Sequence, residues 1–303
     1  MIRHRLRDIS LDTIAYGERR RIGDATVSFH PAGHVPGSAQ IRIEVGGEVW
    51  VVSGDYKVVD DGLSTPFEPV PCHAFISECT FGLPVFSWPA QEDLRADLNA
   101  WWAANAAAGR FSILGAYSLG KAQRLLRLLD PAIGPILTHG AIEATTQVLR
   151  NQGLSFPATE RVVPGMDLKA RAGAMVLSTP SALGSPWAKK FGDAAEAVAS
   201  GWMALRGVRR RRNADRGFVV SDHADWAGLN AAIRSTGAER VFVTHGYVAP
   251  FRRWLEEQGF DAGIVSTDWD GGEEIDAEEA ASDAPLDGAP SDAVDEAALW
   301  SAP

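Results

Sequence analysis

The sequence predicts an α/β protein with two modules, and three features of its 303 residues indicate this class. From Thr26 to Ala74, short β-rich runs alternate with turns that contain Gly, Pro or Asp. After Phe86 the pattern changes to amphipathic helices separated by short apolar strands. From Arg216 onward, strands with polar residues at their ends return, a rhythm typical of α/β proteins.

The elements can be placed in order along the chain. The first strands are ATVSFH, AQIRIEV, EVWVVSGD and HAFISE; the helix QEDLRADLNAWWAANAAAG, the strand FSILGAY and the helix GKAQRLLRLLD follow. The last elements are the strands GFVVSDHADW and ERVFVTHG and the helices LNAAIRSTG and FRRWLEEQG. We therefore assign residues 1–85 and 216–272 to one module and 86–215 to an inserted α/β module.

The net charge of −10 is concentrated at the C-terminus. Residues 273–303 contain ten carboxylates and neither Lys nor Arg, which leaves 29 acidic and 29 basic residues elsewhere. With little apolar content, this segment is predicted to be a disordered acidic tail. A cationic run, Arg209, Arg210, Arg211 and Arg212, could bind a phosphate backbone, although a solvated loop explains it equally well.

The two cysteines, Cys72 and Cys79, are predicted to be reduced, because a single pair could not stabilise a chain of this size. The sequence shows neither a signal peptide nor an apolar run that could span a bilayer. We therefore expect a cytoplasmic protein without a membrane partner.

Five residues that could carry chemistry stand at the ends of β-like runs or in small-residue-rich loops: His34 in PAGHVPGSA, Asp55 in VVSGDY, Glu78 in FISECTFG, His223 in VVSDHADW and His245 in VFVTHGY. Imidazole binds metals and transfers protons near neutral pH, and carboxylates bridge divalent ions. Any one of them alone would most often be a structural residue. All five in this order are harder to explain as structural residues.

The order of these motifs resembles the β-CASP branch of the metallo-β-lactamase fold over roughly residues 15–246. PAGHVPGSAQI, SGDYK and GAYSLGKAQRLL are most similar to bacterial ligase-associated DNA exonucleases. The resemblance implies an αββα sandwich into which an α/β β-CASP domain is inserted. It also implies two Zn²⁺ ions, a DNA substrate and an ATP-dependent DNA ligase as functional partner.

Carried over position by position, the resemblance assigns His34 to the first zinc, Asp55 as the bridging carboxylate and His245 to the second zinc. It assigns His223 as the proton donor to the leaving oxygen and Glu78 as a residue that orients a histidine and tunes its proton affinity. Lys121 and Gln123 lie where the insert is most family-like and are assigned a substrate contact.

The His-x-His-x-Asp-His run that completes the metal site in this family does not occur in the 303 residues. We therefore expect an incomplete ligand set and an incomplete sandwich. Three explanations are open: a start codon upstream of Met1, a shortened gene, or a second chain that supplies the run; the first two are favoured. An RNA-processing nuclease and a non-catalytic nucleic-acid-binding module remain alternatives to the DNA exonuclease.

Overall fold

The computed structural model describes residues 1–6, 9–211 and 214–265, and it confirms the mixed α/β class. The strands are β1 (Arg20–Ile22), β2 (Ala25–Pro31), β3 (Ala39–Val45), β4 (Glu48–Val52), β5 (Ala74–Cys79), β6 (Ser112–Gly115), β7 (Ile136–Thr138), β8 (Glu160–Arg161), β9 (Met175–Ser178), β10 (Ala195–Ala199), β11 (Arg216–Phe218), β12 (Arg240–Gly246) and β13 (Asp261–Ile264). The helices are α1 (Ile2–Leu6), α2 (Gln91–Ala107), α3 (Lys121–Leu128), α4 (Gly140–Asn151), α5 (Pro186–Lys189), α6 (Arg206–Arg211), α7 (Trp226–Ser235) and α8 (Val248–Glu257). Short 3-10 helices lie at Lys169–Arg171, Pro180–Ala182 and Gly201–Ala204.

The first module is a seven-stranded mixed sheet in the order β1-β2-β3-β4-β5-β12-β13. Strands β1 to β4 are antiparallel to their sequence neighbours, whereas β5 runs parallel to both β4 and β12. Strands β2, β4, β5 and β12 therefore point in the same direction. Their C-terminal ends meet at one edge of the sheet, where α/β proteins place their sites.

One face of this sheet is covered by α7 and α8. Val51, Phe75 and Val241 on this face form a core with Leu229 of α7 and Phe251 of α8. The opposite face is also apolar, and its side chains are only partly buried: Val27, Phe29, Ile41, Ile43, Trp50, Val52, Ile76 and Phe242. Within the described ranges no second sheet covers that face, so the sandwich stays a prediction.

The second module contains a six-stranded sheet in the order β11-β10-β6-β9-β7-β8, with every pair parallel. Its central strands β6 and β9 are short and buried on both faces, as expected for parallel sheets covered by helices, whereas the edge strand β8 is exposed. Strand β11, which begins at the predicted boundary of residue 216, pairs with β10 of this second sheet. The inserted sheet thus extends to Phe218.

An aromatic cluster lies between the two modules, where the chain leaves the first sheet after β5 and approaches it again before α7. The ring of Phe81, just after β5, packs 4.8 Å from both Trp88 and Trp202 and 5.8 Å from His223, measured between centroids. Gly201 permits this packing, since a Cβ there would lie 2.6 Å from the Phe81 ring. The inserted module therefore packs directly against the segment that carries His223.

Two predictions about the rest of the chain can be placed against the structure. Over the residues it describes, no helix combines the length and the apolar character needed to cross a bilayer. The predicted acidic tail, 273–303, lies outside the described residues.

Candidate metal and proton-transfer site

Four of the five predicted residues lie at or after the C-terminal ends of strands that meet at the same edge of the first sheet. His34 follows β2 and Asp55 follows β4, whereas Glu78 lies near the end of β5 and His245 near the end of β12. The fifth, His223, follows β11 and immediately precedes α7. The alternation of apolar residues along each strand thus positions the polar groups at its end.

His34 is oriented by a backbone carbonyl. Its Nδ1 donates a hydrogen bond to the peptide oxygen of Asp222 at 2.9 Å, which leaves Nε2 facing Asp55, 4.0 Å from Oδ2. Burial, and secondly the nearby His223, lower the pKa of His34 below its ordinary value, against the opposing carboxylates of Asp55 and Asp222. The ring is therefore held neutral with a free Nε2, the form that binds a metal ion.

His223 and Glu78 form a buried pair. Nδ1 of His223 lies 2.9 Å from both carboxylate oxygens of Glu78, and Oε1 also accepts the N–H of Tyr56 at 2.8 Å. The Glu78 side chain is 1% exposed and that of His223 is 9% exposed. A carboxylate in this position fixes the orientation and the tautomer of the ring, as proton transfer by a histidine requires.

The rings of His34 and His223 meet edge to face with centroids 4.7 Å apart. Ligand atoms of His34, Asp55 and His223 all lie within 4.8 Å of one another. Two imidazoles and one carboxylate form the ligand set of many zinc sites, and the half-exposed Asp55 leaves the group open to solvent. His34 and Asp55 could thus hold a divalent metal ion with His223 beside them.

The segment Ser221–Asp225 is held by hydrogen bonds from both modules. Arg124 of α3 donates to the Ser221 carbonyl at 2.6 Å, and the Trp88 indole donates to the His223 carbonyl at 2.9 Å. Asp225 caps α7 by accepting from Gly228, and it also accepts the N–H of Trp88. His223 is therefore positioned by the inserted module as well as by Glu78.

His245 is not brought into this cluster. It lies at a bulge in β12 with a φ of +54°, its side chain is exposed, and its Nδ1 lies 3.1 Å from Thr244 Oγ1. Its strand end is nevertheless adjacent to that of Glu78, since Thr244 pairs with Glu78 in the sheet. Its assignment to a second metal remains a prediction.

The two predicted substrate contacts in the insert are buried. Gln123 is fully enclosed, and its amide is bound to Gly120, Ser118 and Thr146. Lys121 is 4% exposed, with its Nζ 3.9 Å from the centroid of the Tyr117 ring. These hydrogen bonds join Gln123 to the loop before α3 and to α4. The substrate contacts of Gln123 and Lys121 stay predictions.

The cationic run cannot be placed on the site. Arg209, Arg210 and Arg211 belong to α6, but their side chains lie outside the described part of the chain, as does all of Arg212. Their role in phosphate binding remains a prediction.

Gly120 brings the inserted module against the loop of His34. Its φ is +82°, and a Cβ there would lie 2.3 Å from Cγ1 of Val35, the residue after His34. We expect Gly120→Ala to lower the free energy of unfolding by about 1–3 kcal/mol more than Gly184→Ala, because it adds overpacking. Gly184 is the matched control, since its φ is +68° and a Cβ there would meet nothing within 4 Å. Urea denaturation measures the difference, and equal losses would contradict the close packing.

Asp222 is a site residue that the sequence reasoning did not identify. Its peptide oxygen binds His34, and its carboxylate is buried beside Gly120. Its position directly before His223 in SDHAD is the signal that could have found it.

Comparisons with known proteins show relatives among nucleases and a ligase. A protein of Opitutus terrae named "Probable DNA ligase" is 28% identical over 257 residues, which cover 84% of this chain and 25% of that protein. An RNase J-like protein of Methanocaldococcus jannaschii is 28% identical over 160 residues, 48% of this chain and 37% of that protein. The chain thus spans well under half the length of these relatives. No protein-family model matches the sequence.

The fold also has a counterpart among solved structures. A protein of unknown function from Enterococcus faecalis superposes with a TM-score of 0.56 at 10% identity, over 85% of this chain and 66% of that one. At this identity the likeness concerns the fold alone.

Proposed function

We propose that this chain belongs to the β-CASP branch of metallo-β-lactamase-fold nucleases and carries part of the site of a zinc-dependent phosphodiester hydrolase that acts on DNA ends. The observation that carries the proposal is the buried Glu78–His223 pair placed against His34 and Asp55. A metal group and an oriented histidine side by side are what phosphodiester hydrolysis requires.

Each residue has a distinct task in this proposal. His34 would bind the first ion, Asp55 would bridge, and His245 would bind the second. When bound, such ions supply positive charge that stabilises the oxygens at phosphorus and activates water. His223, oriented by Glu78, would hold a proton for the departing oxygen. The first ion would thus be held by His34 and Asp55, and the second by Asp55 and His245. Because a complete zinc site has more protein ligands than this, we expect weak metal binding.

The DNA assignment rests on the extent of the similarity. The relative named as a ligase matches 84% of this chain, whereas the RNase J-like relative matches 48%. This favours a role in DNA repair alongside an ATP-dependent DNA ligase. The RNase-named relative makes RNA the second candidate substrate, and loss of catalysis with retention of binding is the third possibility.

The test combines metal binding with hydrolysis. We expect the purified chain to bind Zn²⁺ in calorimetry and, in its presence, to release nucleotides from end-labelled DNA faster than from RNA of the same sequence. A chelator should suppress the release. His34→Ala should weaken zinc binding, whereas His73→Ala should not, because His73 precedes β5 at the opposite edge of the sheet.

Each outcome has a defined meaning. Faster cleavage of RNA than of DNA would identify RNA as the substrate and contradict the DNA assignment. Zinc binding without hydrolysis of either polymer would support the non-catalytic module, and no zinc binding at all would refute the proposal.

A further inference from the structure

The carboxylate of Asp222 is buried without the partners that a buried charge normally has. The residue is 4% exposed, and within the described ranges its Oδ1 has no hydrogen-bond partner. Asp225, three residues later, shows the usual arrangement. Its Oδ1 accepts the N–H of Gly228 at 2.8 Å, and its Oδ2 accepts the N–H of Trp88 at 3.1 Å.

An unpaired buried carboxylate destabilises a protein, because the charge loses its hydration and receives nothing in return. Two neighbouring donors contact backbone oxygens instead of this carboxylate. The guanidinium of Arg124 donates to the Ser221 carbonyl, and Nδ1 of His34 donates to the peptide oxygen of Asp222 instead of its side chain. A dication held at His34 and Asp55 would bring a positive charge close to Oδ1 of Asp222, which receives no hydrogen bond within the described ranges.

The inserted module closes over this carboxylate. A Cβ on Gly120 would lie 3.4 Å from Oδ2 of Asp222, so the loop before α3 shields the charge from solvent. Electrostatic interactions act more strongly in such an enclosed region than in water. A charge at Asp222 can therefore influence the site without direct contact.

We propose that Asp222 is a positioning residue that strengthens divalent metal binding at His34 and Asp55 from outside the ligand set. Its peptide oxygen fixes the ring of His34 with Nε2 free, and its buried carboxylate supplies negative charge that a bound dication balances. This inference rests on the metal site of the proposed function. Groups that orient and charge-balance ligands in this way typically contribute 10- to 100-fold in metal affinity.

Asp222→Asn tests the carboxylate alone, since the substitution keeps the shape and the peptide oxygen. In calorimetric titration of the full chain with Zn²⁺, we expect its Kd to rise about 10- to 100-fold. In the absence of metal, we expect its melting temperature to rise by about 2–4 °C, because an uncompensated charge has been removed. Asp222→Ala should weaken zinc binding to a similar extent. Asp225→Asn should lower the metal-free melting temperature, because its carboxylate accepts two N–H groups. Asp167→Asn, in the segment after β8, is the control for zinc affinity, which should stay close to that of the wild type.

Asp222→Asn is expected to weaken zinc binding but to raise the metal-free melting temperature, and these opposite changes distinguish the possible explanations. If metal-free stability and zinc affinity both fell in Asp222→Asn, the residue would be structural and the inference would be wrong. If the wild type bound zinc and both Asp222 variants bound it equally well, the inference would fail while the proposed metal site stood. If the wild type bound no zinc, the proposed function would fail together with the inference.

Discussion

Replacement of Glu78 by Gln is expected to lower kcat for phosphodiester hydrolysis by about 10²- to 10⁴-fold, the range that general acid–base catalysis contributes. Both carboxylate oxygens of Glu78 lie 2.9 Å from Nδ1 of His223. The amide would remove the negative charge that stabilises a protonated imidazole. It would also offer a donor where Nδ1–H needs an acceptor, which favours the wrong tautomer or orientation. KM should change much less than kcat, because Glu78 is 1% exposed and cannot touch a substrate.

A double-mutant cycle with His223→Ala distinguishes positioning from a general loss of structure. If Glu78 acts through His223, the double variant should be no slower than His223→Ala alone, since residues that act as a unit are strongly non-additive. Losses that multiplied would show that Glu78 acts independently of this histidine. The amide oxygen that Glu78→Gln retains can still accept from Tyr56, so circular dichroism and the melting temperature should stay near those of the wild type.

The strand pattern of the sequence located most of this site. Alternating apolar residues define where β4 and β5 end, and a polar residue at the end of a strand faces the edge where sites form. Asp55 and Glu78 could therefore be recognised from their positions. The contact between Glu78 and His223 could not be recognised in this way, because the two residues are 145 positions apart. It depends on where the chain leaves the inserted module and rejoins the first one.

Other features depend on information that a pattern of residue types does not contain. GFVVSDHADW indicates a buried strand but not the sheet it joins, and β11 joins the inserted sheet. A strand end places His245 at the correct edge, yet the bulge in β12 and its left-handed backbone leave its side chain exposed and away from His34. Gln123 is polar and lies in the run GAYSLGKAQRLL, but only the structure shows that its amide is bound to the loop before α3 and to Thr146 of α4.

Asp61→Asn is expected to lower the free energy of unfolding by about 3–5 kcal/mol, the usual effect of removing one partner of a buried ion pair. Asp61 and Lys57 form a salt bridge in the loop after β4, with side chains 2% and 3% exposed. Oδ1 of Asp61 also accepts the N–H groups of Leu63 and Ser64. Asn can keep these turn contacts, so the expected loss reflects the ammonium of Lys57 left buried without its carboxylate. Urea denaturation at pH 7 measures it.

The pH dependence of this loss gives an independent check on its origin. Burial opposes ionisation of Asp61, but Lys57 and the two peptide N–H groups outweigh it and hold the pKa below the ordinary value of 3.8. A carboxylate with a depressed pKa contributes its full stability above the unfolded value and loses it as the pH falls through the folded one. The difference in the free energy of unfolding between wild type and Asp61→Asn should therefore be constant near neutrality and shrink below about pH 4.

The double variant Lys57→Met/Asp61→Asn should recover much of the loss at pH 7, because no charge is then left unpaired. A double variant as unstable as the single one would mean that the loss comes from the turn and not from the buried charge.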